Sequence, residues 1–278
     1  MGNRPGSRAV LSGQALALGP GSMSLYPLTR TLFVDSGTTC PAGQQDGQEW
    51  TPFASETQLQ AAILATPPGS LVACVVRRGS GAAFSLPPNR FIVLRSEVRY
   101  PTLGDITWTV EGDGTSFLIL RNAACTSITI ADGAAPALSA VLGLESASVF
   151  GPIAQSGTSL VHCITGGSVP NFFTPLPSIS IQIGGDVAIT GVLACLNTEF
   201  GADCTSVSCS AFRSQGSSGD FDLEVAGTDA EVLRHTFRGA KTITFNPGPG
   251  TVFLDSQSTR SYRAAGMSVA AGVVAPYV

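Results

Sequence analysis

The sequence predicts an all-β coil of stacked rungs, and three observations carry that expectation. Short apolar phrases recur roughly every 20 residues from Leu71 to Asp255. Glycine and aspartate separate them: Gly112-Asp113-Gly114, Asp132-Gly133, Gly166-Gly167, Gly184-Gly185 and Gly227-Thr228-Asp229 are turn signals. Only one segment carries a convincing helical period. A sandwich of two antiparallel layers is the rival arrangement for the same pattern.

Taken in order, residues 1–30 are rich in Gly, Ser, Arg and Pro without a sustained period, and they read as a flexible or extended anchoring arm. Residues 31–70 form a leading unit. Phe33-Val34 opens a strand, Asp35-Ser36-Gly37 turns it, and a polar loop runs from Thr38 to Thr51. The helix spans Ser55 to Leu64, with Ser55 as N-cap and Gln58 as its capping-box partner. Leu59, Ala62 and Ile63 give an i, i+3, i+4 stripe, and Pro67-Pro68-Gly69 stops the helix. That stripe is expected to cover the open end of the first rung, whose bare backbone would otherwise recruit another strand.

Residues 71–255 form the rod, with about eight or nine rungs at that spacing. Leu71–Val76, Phe91–Leu94, Ile106–Val110 and Phe117–Leu120 begin the series, and Ile243–Phe245 and Val252–Leu254 end it. Pro170 to Pro177 cannot belong to a ladder, because proline donates no hydrogen bond. It reads as a loop thrown out from one rung, carrying Phe172 and Phe173. Residues 256–278 are small and apolar, a segment that closes the far end or mediates association.

The chain has 278 residues with 44% apolar and 12% charged, too hydrophobic for disorder and enough for one large all-β domain. A net charge of −4 argues against a nucleic-acid-binding face. No apolar window approaches the length of a membrane span. Ala9 to Leu18 is too short and polar for a signal-peptide core, and the first residues miss a myristoylation pattern by one position. Seven cysteines, an odd number placed mostly within apolar phrases, predict buried free thiols. Cys195, Cys204 and Cys209 are close enough in sequence for a bridge or metal site, but no CxxC pair or matching histidine accompanies them.

The leading unit resembles that of right-handed parallel β-helix proteins of the pectate-lyase-like type. The matching features are Leu32-Phe33-Val34-Asp35, Asp46-Gly47, Thr51-Pro52-Phe53, Leu59-Gln60-Ala61-Ala62-Ile63 and Pro68-Gly69-Ser70-Leu71-Val72. The ending Phe253–Ser258 with Tyr262–Gly266 is similar to endings of phage structural proteins. Together these cover about a third of the chain. The resemblance implies a single-stranded right-handed parallel β-helix with an N-terminal capping helix. Such folds occur in polysaccharide-acting enzymes and in phage and viral spikes, tail fibres and capsid-surface proteins, so fold is implied more strongly than activity.

For chemistry, the best candidates are Asp220, Asp222 and Glu224. Strand alternation puts all three on one face about 7 Å apart, with Phe221, Leu223 and Val225 opposite. Paired carboxylates at such separations serve glycoside hydrolysis. An amphipathic strand with a solvated acidic face is the plainer reading, and ion pairing with Arg234 and Arg238 suits it. Trp50 and Trp108 are candidates for stacking on sugars, and Trp108, Phe172 and Phe173 for glycan or interface contacts. His162 reads as a buried or half-buried structural histidine and His235 as a surface residue. No nucleophile elbow, P-loop or dinucleotide motif is present, so no cofactor and no metal are expected. The expectation is a virion structural protein anchored to other virion proteins through residues 1–30 and contacting host glycans, and the resemblance implies a homotrimer. A polysaccharide depolymerase and a non-catalytic adhesin are the alternatives.

Overall fold

The computed structural model describes residues 28–96, 102–112, 116–166 and 181–277. The expected loop with Phe172 and Phe173, and nearly all of the expected arm, lie outside the described residues.

The strands form three sheets whose neighbours are parallel and whose order follows the chain in steps of one turn. A long sheet holds eleven strands, from Leu28–Asp35 and Leu71–Arg78 to Gly250–Leu254 and Gly272–Pro276. A nine-stranded sheet runs from Phe84–Leu86 to Ser268–Ala270, and a seven-stranded one from Thr102–Leu103 to Thr236–Phe237. From Phe91 to Phe245 each turn visits the long, seven-stranded and nine-stranded sheets in that sequence, while the turns beginning at Leu71 and Gly250 pass from the long sheet to the nine-stranded one without a strand in the seven-stranded sheet. This is a parallel β-solenoid of about eight turns, not two facing antiparallel layers. Eleven strands at about 4.8 Å give a rod roughly 48 Å long.

The core is a set of stacked columns. In the long sheet Val72, Ile92, Leu118, Leu142, Cys163, Leu193, Phe212, Ala230 and Val252 lie one above the next in unbroken register. All are buried in a single apolar cluster. Partners stand 18 residues apart at Phe212 and Ala230 and 30 apart at Cys163 and Leu193, so turn length varies while register does not. A second apolar cluster occupies the opposite side of the same sheet: Leu71, Phe91, Phe117, Ile119 and Val141, with the Phe91 and Phe117 rings stacked 5.1 Å apart.

One corner recurs with a single left-handed residue between the long and seven-stranded sheets. Asn122, Ser146, Asn197 and Arg234 have φ of 47–51°, and Gly166 and Gly216 take the same place at 69° and 68°. Asparagine and glycine tolerate this region best. At Gly166 an added Cβ would run into the Leu196 carbonyl oxygen. After five of these corners the next residue turns inward and is buried: Ala123, Ala147, Thr198, Ser217 and His235.

Helix α1, Glu56–Leu64, starts as the sequence predicts, with Ser55 Oγ accepting from Gln58 N at 3.4 Å. The return bond of the capping box goes one residue further back, from Ala54 N to Gln58 Oε1 at 2.8 Å. Leu59 and Ile63 are fully buried against Leu32 and Val34 in the main core, each worth about 1.5–3 kcal/mol by area. The same turn buries Glu56. Its carboxylate accepts from Ser80 N at 2.7 Å and from the Ser80 hydroxyl.

Three expectations need correction. The first strand begins at Leu28, not Phe33, because residues 28–32 pair with the start of the first full turn. The rod does not end at Asp255, since two further strands extend both larger ladders to Pro276. Between Leu254 and the first of these strands lies a second helix, α2, Ser256–Ala265. Asp255 caps it by accepting from Ser258 N at 2.8 Å, and Gly266 ends it in the left-handed region. The segment has no apolar stripe, which is why the period of its residues concealed it.

Candidate functional site

Asp222 and Glu224 lie on the strand Asp222–Val225 with both side chains exposed, and Leu223 and Val225 buried. Alternation therefore delivers two carboxylates to one outer face, among Ser206, Ser208 and Thr244 of adjacent turns. Asp220 does not join them. It lies before the strand, in the corner after Ser218–Gly219, packed against Gly239, and its buried Oδ1 has no hydrogen-bond partner. The three-carboxylate face is thus reduced to two.

Each of the two is tied to the following turn. Asp222 Oδ1 accepts from Thr242 N at 2.8 Å, and Glu224 Oε1 accepts from Asn246 Nδ2 at 3.2 Å. Asp222 is one of a series. Asp132 accepts from Thr158 N at 2.6 Å and from Ser159 N, and Asp186 from Thr205 N at 2.7 Å and Ser206 N at 2.8 Å. In every case the carboxylate satisfies backbone donors at a corner of the next turn, where the ladder leaves them unpaired. The Ser206 amide chiefly holds the Asp186 carboxyl below its ordinary range. For Asp132, burial pushes upward but the bonds from Ser159 and Thr158 outweigh it.

The aromatic candidates divide. Trp108 is fully buried in the core between Leu86 and Ile130 of neighbouring turns, so it contacts no glycan and no partner surface. Alternation along Ile106–Val110 aims it inward with Ile106 and Val110, a pattern the sequence already contained. Trp50 is 86% exposed in the loop before α1. Beside it Glu49 pairs with Arg77 at 3.1 Å, and Arg77 lies over the Phe33 ring.

His162 is buried as expected. Its Nδ1 accepts from Val192 N at 3.1 Å, and burial holds its pKa down. His235, expected on the surface, is fully enclosed. It follows the left-handed Arg234, and as at Ala123, Ala147, Thr198 and Ser217 the residue after the corner points inward. Its Nδ1 is 2.9 Å from Ser214 Oγ, its ring centroid 4.6 Å from that of Phe237, and its Nε2 has no partner. A serine and a histidine in contact invite a nucleophilic reading. Both are walled into the core, beyond the reach of a polymeric substrate.

All seven cysteines are free and six are buried. Burial raises the thiols of Cys125, Cys195, Cys204 and Cys209 to about 12, so they stay protonated at neutral pH. Thiolates are what metals and electrophiles engage. No cluster of metal-ligating side chains occurs among the described residues. None of the described helices is long and apolar enough to cross a membrane.

Fold and surface together define a single-chain parallel β-solenoid whose acidic residues staple one turn to the next. Comparison with protein-family models, curated proteins and solved structures returns no match for this chain.

Proposed function

We propose that the chain is a structural protein of a virus or phage particle, a rigid rod that is a spike, fibre or capsid-surface component. The observation that supports this reading most is the stapling series. Asp132, Asp186 and Asp222 bond corner amides of the next turn, a duty that stiffens a solenoid and leaves the best acidic candidate employed in architecture. Uninterrupted core columns add stiffness along the axis, because no turn can slip without exposing its inward residues. The arm, residues 1–30, anchors the rod in this reading. Exposed Leu138, Phe150 and Leu160 on the flanks suit lateral packing in a homotrimer. The test is twofold. Purified particles probed with an antibody to the rod should carry the chain at fixed stoichiometry, and light scattering of the full chain should give three times the chain mass. Particles lacking the chain overturn the assignment; a monomer overturns the trimer.

Exposed Trp50 favours a second reading, contact with a host glycan without cleavage. Glycan arrays separate it from depolymerase activity. An adhesin retains intact glycan and loses it in Trp50→Ala, whereas a depolymerase releases reducing or unsaturated ends that Asp222→Asn or Glu224→Gln abolishes.

A further inference from the structure

The buried histidine at the far corner has neighbours that give it a task. His235 occupies the inward corner column of Ala123, Ala147, Ile181, Thr198 and Ser217, and Ser258 of α2 takes the place that follows it. The hydrogen bonding repeats accordingly: Thr198 N donates to Ser217 Oγ at 3.1 Å, and His235 N donates to Ser258 Oγ at 2.9 Å. A second hydroxyl completes the attachment, as Ser261 Oγ donates to the His235 carbonyl at 2.8 Å. Tyr262 of the same helix packs edge-on against Phe237, which stacks on the imidazole. Helix α2 is therefore the floor beneath His235, fastened to that residue's own backbone.

We propose that His235 is an acid-released latch for α2 and for the strands Ser268–Ala270 and Gly272–Pro276 that follow it. Inside the box, Nδ1 faces the Ser214 hydroxyl and Nε2 faces no acceptor. A second ring proton would place a cation among Phe221 and Phe237 with nothing to balance it. The charged groups on every adjoining element leave it unbalanced. On the histidine's own corner, Arg238 repels a cation and is paired with Glu199 of the seven-stranded sheet at 3.5 Å. Asp220, in the preceding corner, is packed against Gly239. On α2, the Asp255 carboxylate is engaged by Ser258 N and Arg234 N, Tyr262 is neutral at working pH, and Arg260 and Arg263 are cations. Cys195, next to Ser214 in the long sheet, is a protonated thiol, and Arg213 and Glu231 pair with each other at 3.7 Å.

Burial accordingly lowers the His235 pKa from 6.5 to about 4, with Arg238 adding to the effect. The docked state thus favours the neutral ring. Docking is undiminished above pH 6.5, weakens as pH falls from 6.5 towards 4 while only the undocked ring takes the proton, and levels off below.

Hydrogen exchange on the full chain, corrected for intrinsic pH dependence, tests this. Protection of residues 256–276 should fall by roughly two orders of magnitude between neutral pH and pH 4, while residues 91–145 keep theirs. His235→Gln, neutral at every pH, should flatten that dependence. An identical pH response in wild type and variant overturns the latch. Should the variant not fold, the wild-type ring decides by carbon-13 NMR, with His162→Gln assigning the signals. A ring that titrates as the helix loses protection supports the latch. A ring that titrates with the helix still docked, at or near its ordinary value, overturns it.

Discussion

The two α-helices among the described residues solve related packing problems by different chemistry. Helix α1 meets the first turns chiefly with Leu59 and Ile63 in the apolar core, and Glu56 adds hydrogen bonds to Ser80. Helix α2 meets the last turns with Ser258 and Ser261, and its contact is largely a set of directional bonds centred on His235, with Tyr262 packed on Phe237. The interior changes in step. The corner column is Ala123, Ala147 and Ile181 in the earlier turns and becomes Thr198, Ser217, His235 and Ser258 in the later ones. A solenoid with one backbone plan can thus be held by dispersion at one end and by hydrogen bonds at the other, and the two ends should answer to different perturbations.

The largest expected effect breaks the apolar half. Trp108→Ala removes a fully buried indole from the stack between Leu86 and Ile130 and should cost about 3–5 kcal/mol, read as a lowered urea midpoint. Next comes the polar half. Ser258→Ala leaves the buried His235 amide without its acceptor, at about 1–3 kcal/mol, and exchange should quicken in residues 256–276 before anywhere else. Glu56→Ala sharpens the comparison from the other side. It strips Ser80 N of its partner inside the apolar end and should cost about 1–3 kcal/mol, with exchange rising near α1 and α2 unaffected. Arg213→Ala removes partly exposed pairs with Asp229 and Glu231 and should cost no more than about 1 kcal/mol, shrinking further in high salt. Asp222→Asn should be smallest, about 0.5 kcal/mol, because its amide oxygen still accepts from Thr242 N.

The β-coil was legible because the inward columns of the long and nine-stranded sheets take an apolar residue in nearly every turn, and that demand stamps a period on the sequence. Helix α1 was legible for the same reason, since its stripe and its Ser55 cap announce themselves. Helix α2 was not, because its inward positions are hydroxyls that look like surface. Only Asp255 and Gly266, a cap and a stop with ten residues between them, marked it. His235 was misplaced by a similar blindness. Between Arg234 and Thr236 it has polar company, and its burial follows from the left-handed corner rather than from local hydropathy. The acidic triad failed at Asp220 because strand alternation was extended across a corner where the backbone changes direction. Trp108, by contrast, was readable as core from its neighbours Ile106 and Val110.

One feature of the winding bears on how such a chain tolerates change. The ladder closes equally well over 18 residues or 30, so the length of any excursion is decoupled from the alignment of everything above and below it. Peptide grafted at an exposed corner such as Gly157 would be carried outward as freight, with the hydrophobic spine left in place. Deleting a single inward residue would instead displace a whole storey. Diversity in this architecture therefore accumulates at the corners, where a surface can be rewritten without rebuilding the frame.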